Sequence, residues 1–293
     1  MRVELAAGSG FCFGVKRAIQ MAFEVAEGQR DPFYTLGPII HNPQMVARLE
    51  EKGIRVIERP EEGDPGILIV RSHGVAPEVM KAAERHGHRI VDATCPFVRR
   101  AQDYVSTLRA EGYSIVIVGK KDHAEVEGLL GYAGGDAVVV WDKEDLEGWS
   151  GYPTSVERLE SHSLPSRIGV IAQTTIPFHL FEEVVQELLK KTRQLKVYNT
   201  ICASTEERQH KTLELAQKAD VMIIVGGRNS ANTSRLAELC RALGKTTYHI
   251  ETAEELSPEW VVGCSFVGVS AGASTPDWLI EEVMTKLNCW ADA

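Results

Sequence analysis

The sequence predicts an α/β protein built from parallel sheets, and three observations carry that prediction. Short runs rich in Val and Ile recur along the 293 residues, most are apolar on both faces, and each is followed by a stretch of helical periodicity. Strands that are apolar on both faces and alternate with helices are the mark of βαβ units, in which helices cover both sides of a parallel sheet. The runs are, in order, VELAAG, FYTLG, GILIVRS, SIVIVGK, AVVVW, RIGVIAQ, VMIIVGG and SFVGVSAG. Helix starts are legible between them, because Ser, Thr, Asn and Asp satisfy the open N–H groups of a first turn and Pro fits its geometry. Asn42-Pro43 opens QMVARLEEKG, Asn232 and Thr233 open SRLAELCRALG, and Ser274 or Thr275 caps the segment beginning Pro276-Asp277. The polar stretch from Glu147 to Pro165, which contains Gly and Pro, reads as a loop or insertion. The alternation passes through roughly three cycles. Three similar α/β domains are therefore expected, at residues 1–95 (with the Cys12 loop joining the third domain), 96–195 and 196–293.

Composition narrows the class. With 44% apolar and 25% charged residues the chain is ordinary for a globular protein, and no apolar run approaches the roughly 18 residues of a membrane span. Lys and Arg number 32 against 41 Asp and Glu, and the resulting net charge of -9 opposes a long-range pull toward nucleic acid or anionic membranes. The N-terminus, MRVELAAGSG, passes straight into an alternating strand without the apolar stretch of a secretory signal, so a cytoplasmic protein is expected. In that compartment the six cysteines stay reduced, which leaves metal binding, catalysis or burial as their uses. No CxxC pair occurs, against a zinc ribbon or a thioredoxin-like dithiol.

Ligands of open α/β sheets collect at the carboxyl ends of strands. Here those ends are polar. They read Gly37-Pro38-Ile39-Ile40-His41-Asn42, Arg71-Ser72-His73-Gly74, Gly119-Lys120-Lys121-Asp122-His123-Ala124-Glu125, Gln173-Thr174-Thr175, Gly226-Gly227-Arg228-Asn229-Ser230-Ala231-Asn232 and Ala271-Gly272-Ala273-Ser274-Thr275. His41, His73 and His123 occupy equivalent positions. Gly lets backbone approach a ligand, while helix-start N–H groups, Ser and Asn donate to phosphate oxygens. Capping and turning explain any single such loop; six of them point to an anionic ligand. Neither GxxxxGK[ST] nor GxGxxG follows a strand, so nucleotide-binding loops lack their pattern.

The cysteines divide into two groups. Cys240 lies on the apolar helix face LAELCRAL, Cys264 begins a buried strand and Cys289 lies in the last helix, so these three read as structural. Cys12 (GFCFG), Cys95 (DATCP) and Cys202 (NTICAS) each sit in a loop between strand and helix, where a helix N-terminus favours the thiolate and hence a soft metal. Three thiolates without a fourth suit either a catalytic zinc with an open position or an iron-sulfur cluster with one iron free of protein.

At this point the segments GFCFGVKRA, TLGPIIHNP, RSHG, DATCP, AQTT, GGRNSANTSRLAEL and SAGASTPDW together resemble the 4-hydroxy-3-methylbut-2-enyl diphosphate reductases, in order and over nearly the whole chain. The resemblance implies a trefoil of three α/β domains around a 4Fe-4S cluster held by Cys12, Cys95 and Cys202, with the fourth iron facing substrate. It implies a diphosphate pocket of His41, His73, His123, Ser230, Asn232 and Ser274. It makes Glu125 the proton donor, with His123 beside it, and Thr174 a hydroxyl that organises the substrate's 4-hydroxyl. The implied activity is reductive dehydroxylation of (E)-4-hydroxy-3-methylbut-2-enyl diphosphate to isopentenyl and dimethylallyl diphosphate, the last step of the methylerythritol phosphate route, with a ferredoxin or flavodoxin as electron donor. Two positions depart from the family's common pattern: Ala124 stands where Pro is common and Ala231 where a second hydroxyl is common. Two rival readings keep the cysteines, a cluster-bearing sensor without turnover and a zinc-dependent hydrolase; the sensor would have no need of Glu125.

Overall fold

A computed structural model describes residues 1–27, 31–147 and 166–291. The stretch expected as a loop at Glu147 to Pro165 lies outside the described residues except for Glu147. The strands, in chain order, are β1 (Arg2–Leu5), β2 (Phe33–Leu36), β3 (Ile54–Ile57), β4 (Ile67–Val70), β5 (Arg89–Asp92), β6 (Ser114–Val118), β7 (Ala137–Val140), β8 (Arg167–Ala172), β9 (Gln194–Tyr198), β10 (Val221–Val225), β11 (Thr246–Ile250) and β12 (Phe266–Ala271). The helices are α1 (Phe13–Ala26), α2 (Pro43–Glu50), α3 (Pro77–Arg85), α4 (Pro96–Ala110), α5 (Ala124–Ala133), α6 (Phe178–Leu189), α7 (Ala203–Lys218), α8 (Ala231–Ala242) and α9 (Asp277–Ala291).

The predicted parallel α/β class is what the chain adopts: three four-stranded sheets, every pairing parallel. Contacts divide the chain into two compact units, one of Met1–Glu24, Ile40–Gly53 and Ala203–Ala293, the other of Val25–Ile39 and Ile54–Cys202. The first unit holds the sheet β1-β12-β10-β11, to which the N-terminal strand is joined by pairing Arg2 with Phe266 through Leu5 with Val269. Its central strand β10 buries both faces. Val221, Ile223 and Val225 pack with Ile280, Val283 and Leu287 of α9, while Met222 and Ile224 pack with Leu215 of α7 and Leu236 and Cys240 of α8. The second unit holds two sheets, β3-β2-β4-β5 and β7-β6-β8-β9. In the latter, Val116, Val118, Ile168 and Val170 face Phe181, Val184 and Leu188 of α6, and Ile115, Ile117 and Ile171 face Val105, Leu108 and Leu129 of α4 and α5. Each such side chain withdrawn from water contributes about 1.5–3 kcal/mol, which holds the strands between their helices.

Several local expectations are corrected. The strands β3, β5, β9 and β11 were not among the Val/Ile runs; all four are edge strands with charged or polar residues, such as Arg55, Arg89, Lys196 and His249, which an edge tolerates. The cap of α8 is Ser230 rather than Asn232 or Thr233, which lie inside the helix; the Ser230 Oγ accepts from the Thr233 N–H. The Ser274 and Thr275 hydroxyls are turned to the carbonyls of His41 and Val225. Cys264 precedes β12 in a turn, and Cys289 is exposed on α9 instead of packed. Asn42 does cap α2, its Oδ1 accepting from the Met45 N–H at 2.9 Å.

Candidate active site

In the second unit the ends of β6 and β8 bring Glu125 and Thr174 together. Glu125, in the first turn of α5, is 1% exposed, and its two carboxylate oxygens accept from the Thr174 N–H at 2.7 Å and the Thr174 Oγ1 at 2.8 Å. Burial pushes its pKa up from the ordinary 4.5 to about 7, against the lowering influence of both Thr174 hydrogen bonds. A first-turn glutamate serving only the helix dipole would stand in solvent, where it costs nothing to ionise. This one does not. The cap of α5 is His123, whose Nδ1 accepts from the Glu125 N–H at 3.2 Å, so a neutral ring carries its proton on Nε2 and presents it as a donor. Ala124, the departure from the common Pro, is the first helical residue, and the cap is formed around it. The His73 ring lies edge-on to His123, with centroids 5.5 Å apart.

Two of the predicted cysteines belong to this unit. Cys95 is the N-cap residue of α4, and its N–H donates to the Ser72 carbonyl at 2.9 Å, which links it to the turn that carries His73. The Cys202 N–H donates to the Thr174 carbonyl at 2.8 Å, which links it to the partner of Glu125, and α7 begins at the next residue. Gln173, read from the sequence only as part of a polar strand end, links the ends of β6 and β8: its Oε1 accepts from the Lys120 N–H at 3.0 Å and its Nε2 donates to the Thr175 Oγ1 at 2.9 Å. A buried amide next to the Thr174 hydroxyl was the available signal.

In the first unit the ends of β10 and β12 and the start of α2 bring together Ser230, Ser274, Asn232 and the backbone of His41. The Ser274 Oγ lies 3.1 Å from the His41 carbonyl and 3.3 Å from the Ser230 Oγ. Asn232 is 7% exposed, and neither its Oδ1 nor its Nδ2 has a hydrogen-bond partner. A buried amide in that state costs stability until something polar meets it. The glycines of this group have steric causes: a Cβ on Gly272 would stand 1.9 Å from the Thr233 Oγ1, and one on Gly227 2.8 Å from the His41 carbonyl. Cys12, just before α1, donates its N–H to the Ala273 carbonyl at 3.1 Å. Cys12, Cys95 and Cys202 are each partly buried and none of the six cysteines forms a disulfide. Among the described residues no helix is long and apolar enough to cross a membrane.

Known proteins resemble this chain over nearly its whole length. A relative from Pelobacter propionicus, 49% identical over 289 residues that make up 98% of both chains, and one from Syntrophotalea carbinolica, 44% identical over 98% of this chain and 99% of its own, are both named 4-hydroxy-3-methylbut-2-enyl diphosphate reductase. A solved structure of (E)-4-hydroxy-3-methyl-but-2-enyl diphosphate reductase, described as the terminal enzyme of the non-mevalonate pathway, is 45% identical and superposes with a TM-score of 0.72 over 98% of each chain. The Plasmodium falciparum reductase structure is 26% identical, with a TM-score of 0.86 over 98% of this chain and 87% of its own. A family model described as LytB protein matches residues 3–288, and on that match and these relatives the chain belongs to the LytB family.

Proposed function

We propose that the chain is the reductase of (E)-4-hydroxy-3-methylbut-2-enyl diphosphate, converting it with two electrons and two protons to isopentenyl or dimethylallyl diphosphate and water. The observation that carries this reading is Glu125: a fully buried carboxyl, held by two Thr174 hydrogen bonds, whose pKa of about 7 keeps it able to give up a proton at neutral pH. A hydroxyl leaves poorly until it is protonated, and Glu125 supplies that proton to the substrate's 4-hydroxyl oxygen, which departs as water. Thr174 orients the carboxyl. A sensor without turnover has no use for an acid tuned in this way.

The residues present fit a 4Fe-4S cluster. Cys12, Cys95 and Cys202 are partly buried thiols, each directly before a helix, and three soft ligands leave one iron without a protein ligand. When bound, such a cluster would supply the electrons and Lewis-acid activation of the substrate's hydroxyl, with a ferredoxin- or flavodoxin-type protein as the electron source. His41, His73, His123, Ser230, Asn232 and Ser274 hold the diphosphate, with the unsatisfied Asn232 amide and the His123 Nε2 proton as donors. The net charge of -9 speaks against nucleic acid and anionic membranes as partners and supports a cytoplasmic reading. The deciding experiment is anaerobic turnover of the allylic diphosphate with a reduced dye, followed by product analysis. Absence of both isoprenoid diphosphates from an iron-loaded preparation would refute the assignment.

A further inference from the structure

The loop Gly226–Ser230, which follows β10 and ends on the cap of α8, is tied to one neighbouring segment. The Gly226 N–H donates to the Ile250 carbonyl at 2.8 Å, and the Gly226 carbonyl accepts from the His249 Nε2 at 2.8 Å. Both partners lie on the edge strand β11. Just beyond it the Glu251 Oε1 accepts from the Arg228 N–H at 2.7 Å, while the Arg228 carbonyl accepts from the Ser234 Oγ at 3.2 Å. The Ser230 N–H then closes back on the Gly227 carbonyl at 3.0 Å. Glu251 is itself anchored: the Glu255 Oε1 accepts from the Glu251 N–H at 2.7 Å and from the Thr252 N–H at 3.2 Å, and the Lys286 Nζ of α9 donates to the Ala253 carbonyl at 2.7 Å. An ion pair does not explain Glu251. Its carboxylate lies 3.9 Å from the Arg228 guanidinium, which is largely exposed and bonded to Glu255, and exposed pairs of that kind contribute little. The short contact goes to the backbone N–H instead, a charge-assisted bond that fixes where residue 228 stands, two residues before Ser230.

We propose that Glu251 is a positioning residue for Ser230, its carboxylate holding the loop Gly226–Ser230 through the Arg228 N–H so that the Ser230 hydroxyl stands ready for the diphosphate. The consequence for substrate rests on the reading above, in which Ser230 contacts the diphosphate. The hold on the loop does not.

The test crosses charge with reach in the iron-loaded protein. Glu251→Asp keeps the charge but is one methylene too short for the Arg228 N–H, whereas Glu251→Gln loses the charge and keeps an oxygen acceptor in place. In the Asp variant amide hydrogen exchange across residues 226–230 speeds up about tenfold or more. Kd for inorganic pyrophosphate and KM for the allylic diphosphate each rise about 5- to 20-fold, the cost of ordering a loop residue afresh, while kcat stays within about twofold. The Gln variant stays within about twofold of the parent in all four. A Gln variant as weak as the Asp variant, or weaker, overturns the proposal, because charge and not the bond would then be acting. Parent-like exchange and affinity in both variants overturn it as well. So does a lowered thermal midpoint with kcat deteriorating along with KM, the mark of a general folding defect. Should the parent bind pyrophosphate yet fail to reduce the allylic diphosphate, the functional reading falls, and exchange and pyrophosphate affinity alone decide whether Glu251 holds the loop.

Discussion

Thr174 donates to both carboxylate oxygens of Glu125, through its backbone N–H at 2.7 Å and its hydroxyl at 2.8 Å. Two opposed influences meet in that pair. Burial disfavours the charged carboxylate, while both hydrogen bonds favour it, and burial prevails, leaving the pKa at about 7. An exposed glutamate would be ionised at neutral pH, and a buried one without Thr174 would hold its proton still more tightly. The pair sets an acid at the midpoint where donation is most effective.

Replacing Glu125 with Gln removes the proton and keeps size and most of the hydrogen bonding. General acid work contributes about 10²- to 10⁴-fold, so anaerobic turnover falls on that scale while iron content and diphosphate affinity stay near the parent values. Near-normal turnover with a full cluster would exclude Glu125 as the proton source.

Thr174→Val removes one of the bonds that stabilise the ionised form, so the Glu125 pKa moves further up. Activity that requires the protonated acid falls as pH rises through about 7 in the parent. In the variant that descending limb moves to higher pH, and the maximal rate is lower because the carboxyl is less well oriented. A limb that stays in place, in kcat measured from pH 5.5 to 9, would mean another group controls it.

The same pKa is a statement about stability. A carboxyl raised from 4.5 to about 7 contributes its full stability below pH 4.5, where it is neutral in both states, and that stability is lost as pH rises through 7. The loss amounts to about 3 kcal/mol. Glu125→Gln carries no such charge, so the variant gains on the parent between pH 5 and pH 8, and anaerobic urea unfolding at the two pH values reads the difference directly.

How far the sequence was legible follows the physics of burial. The central strands β2, β4, β6, β8, β10 and β12 are apolar on both faces and were all readable, as were the edge strands β1 and β7. The edges β3, β5, β9 and β11 face water on one side and carry the charges that hide a strand pattern. Cys12, Cys95 and Cys202 were placed correctly before helices because Gly, Asp, Thr, Asn and Pro mark such loops. The burial of Glu125 was not legible, since a first-turn glutamate has the same local sequence whether it faces water or core. The role of Gln173 was missed for a related reason: its Oε1 meets the Lys120 N–H at the end of β6, far away in sequence.

The cysteines separate by environment. Burial pushes the Cys240 thiol up to about 11, so it is protonated at neutral pH and a poor metal ligand, and it packs with Leu236 and Ala237 of α8 against Met222 and Ile224. Cys240→Ala, Cys264→Ser and Cys289→Ser therefore keep iron and sulfide after anaerobic reconstitution, whereas Ser at 12, 95 or 202 loses most of both. If the Cys240 variant loses iron as fully as the Cys95 variant, the ligand set is wrong.

Asn232 offers the sharpest separation of binding from folding. Its amide is 93% withdrawn from solvent, being 7% exposed, and has no hydrogen-bond partner at either end. An amide in that state destabilises the free protein and gains its partners only when a ligand arrives. Asn232→Leu removes the unsatisfied atoms while keeping the branched heavy-atom shape, so the ligand-free protein unfolds at the same temperature or higher. Diphosphate affinity moves the other way. Losing one good donor to a charged oxygen is worth about 1.5–3 kcal/mol, which is roughly a 10- to 150-fold weaker Kd in anaerobic calorimetry. Ser274→Ala weakens binding as well, but it also strips the His41 carbonyl of a hydroxyl donor and so lowers the thermal midpoint. A stabilised Asn232→Leu that binds the diphosphate as tightly as the parent would remove Asn232 from the binding site, and a destabilised one would show that its amide is satisfied within the fold.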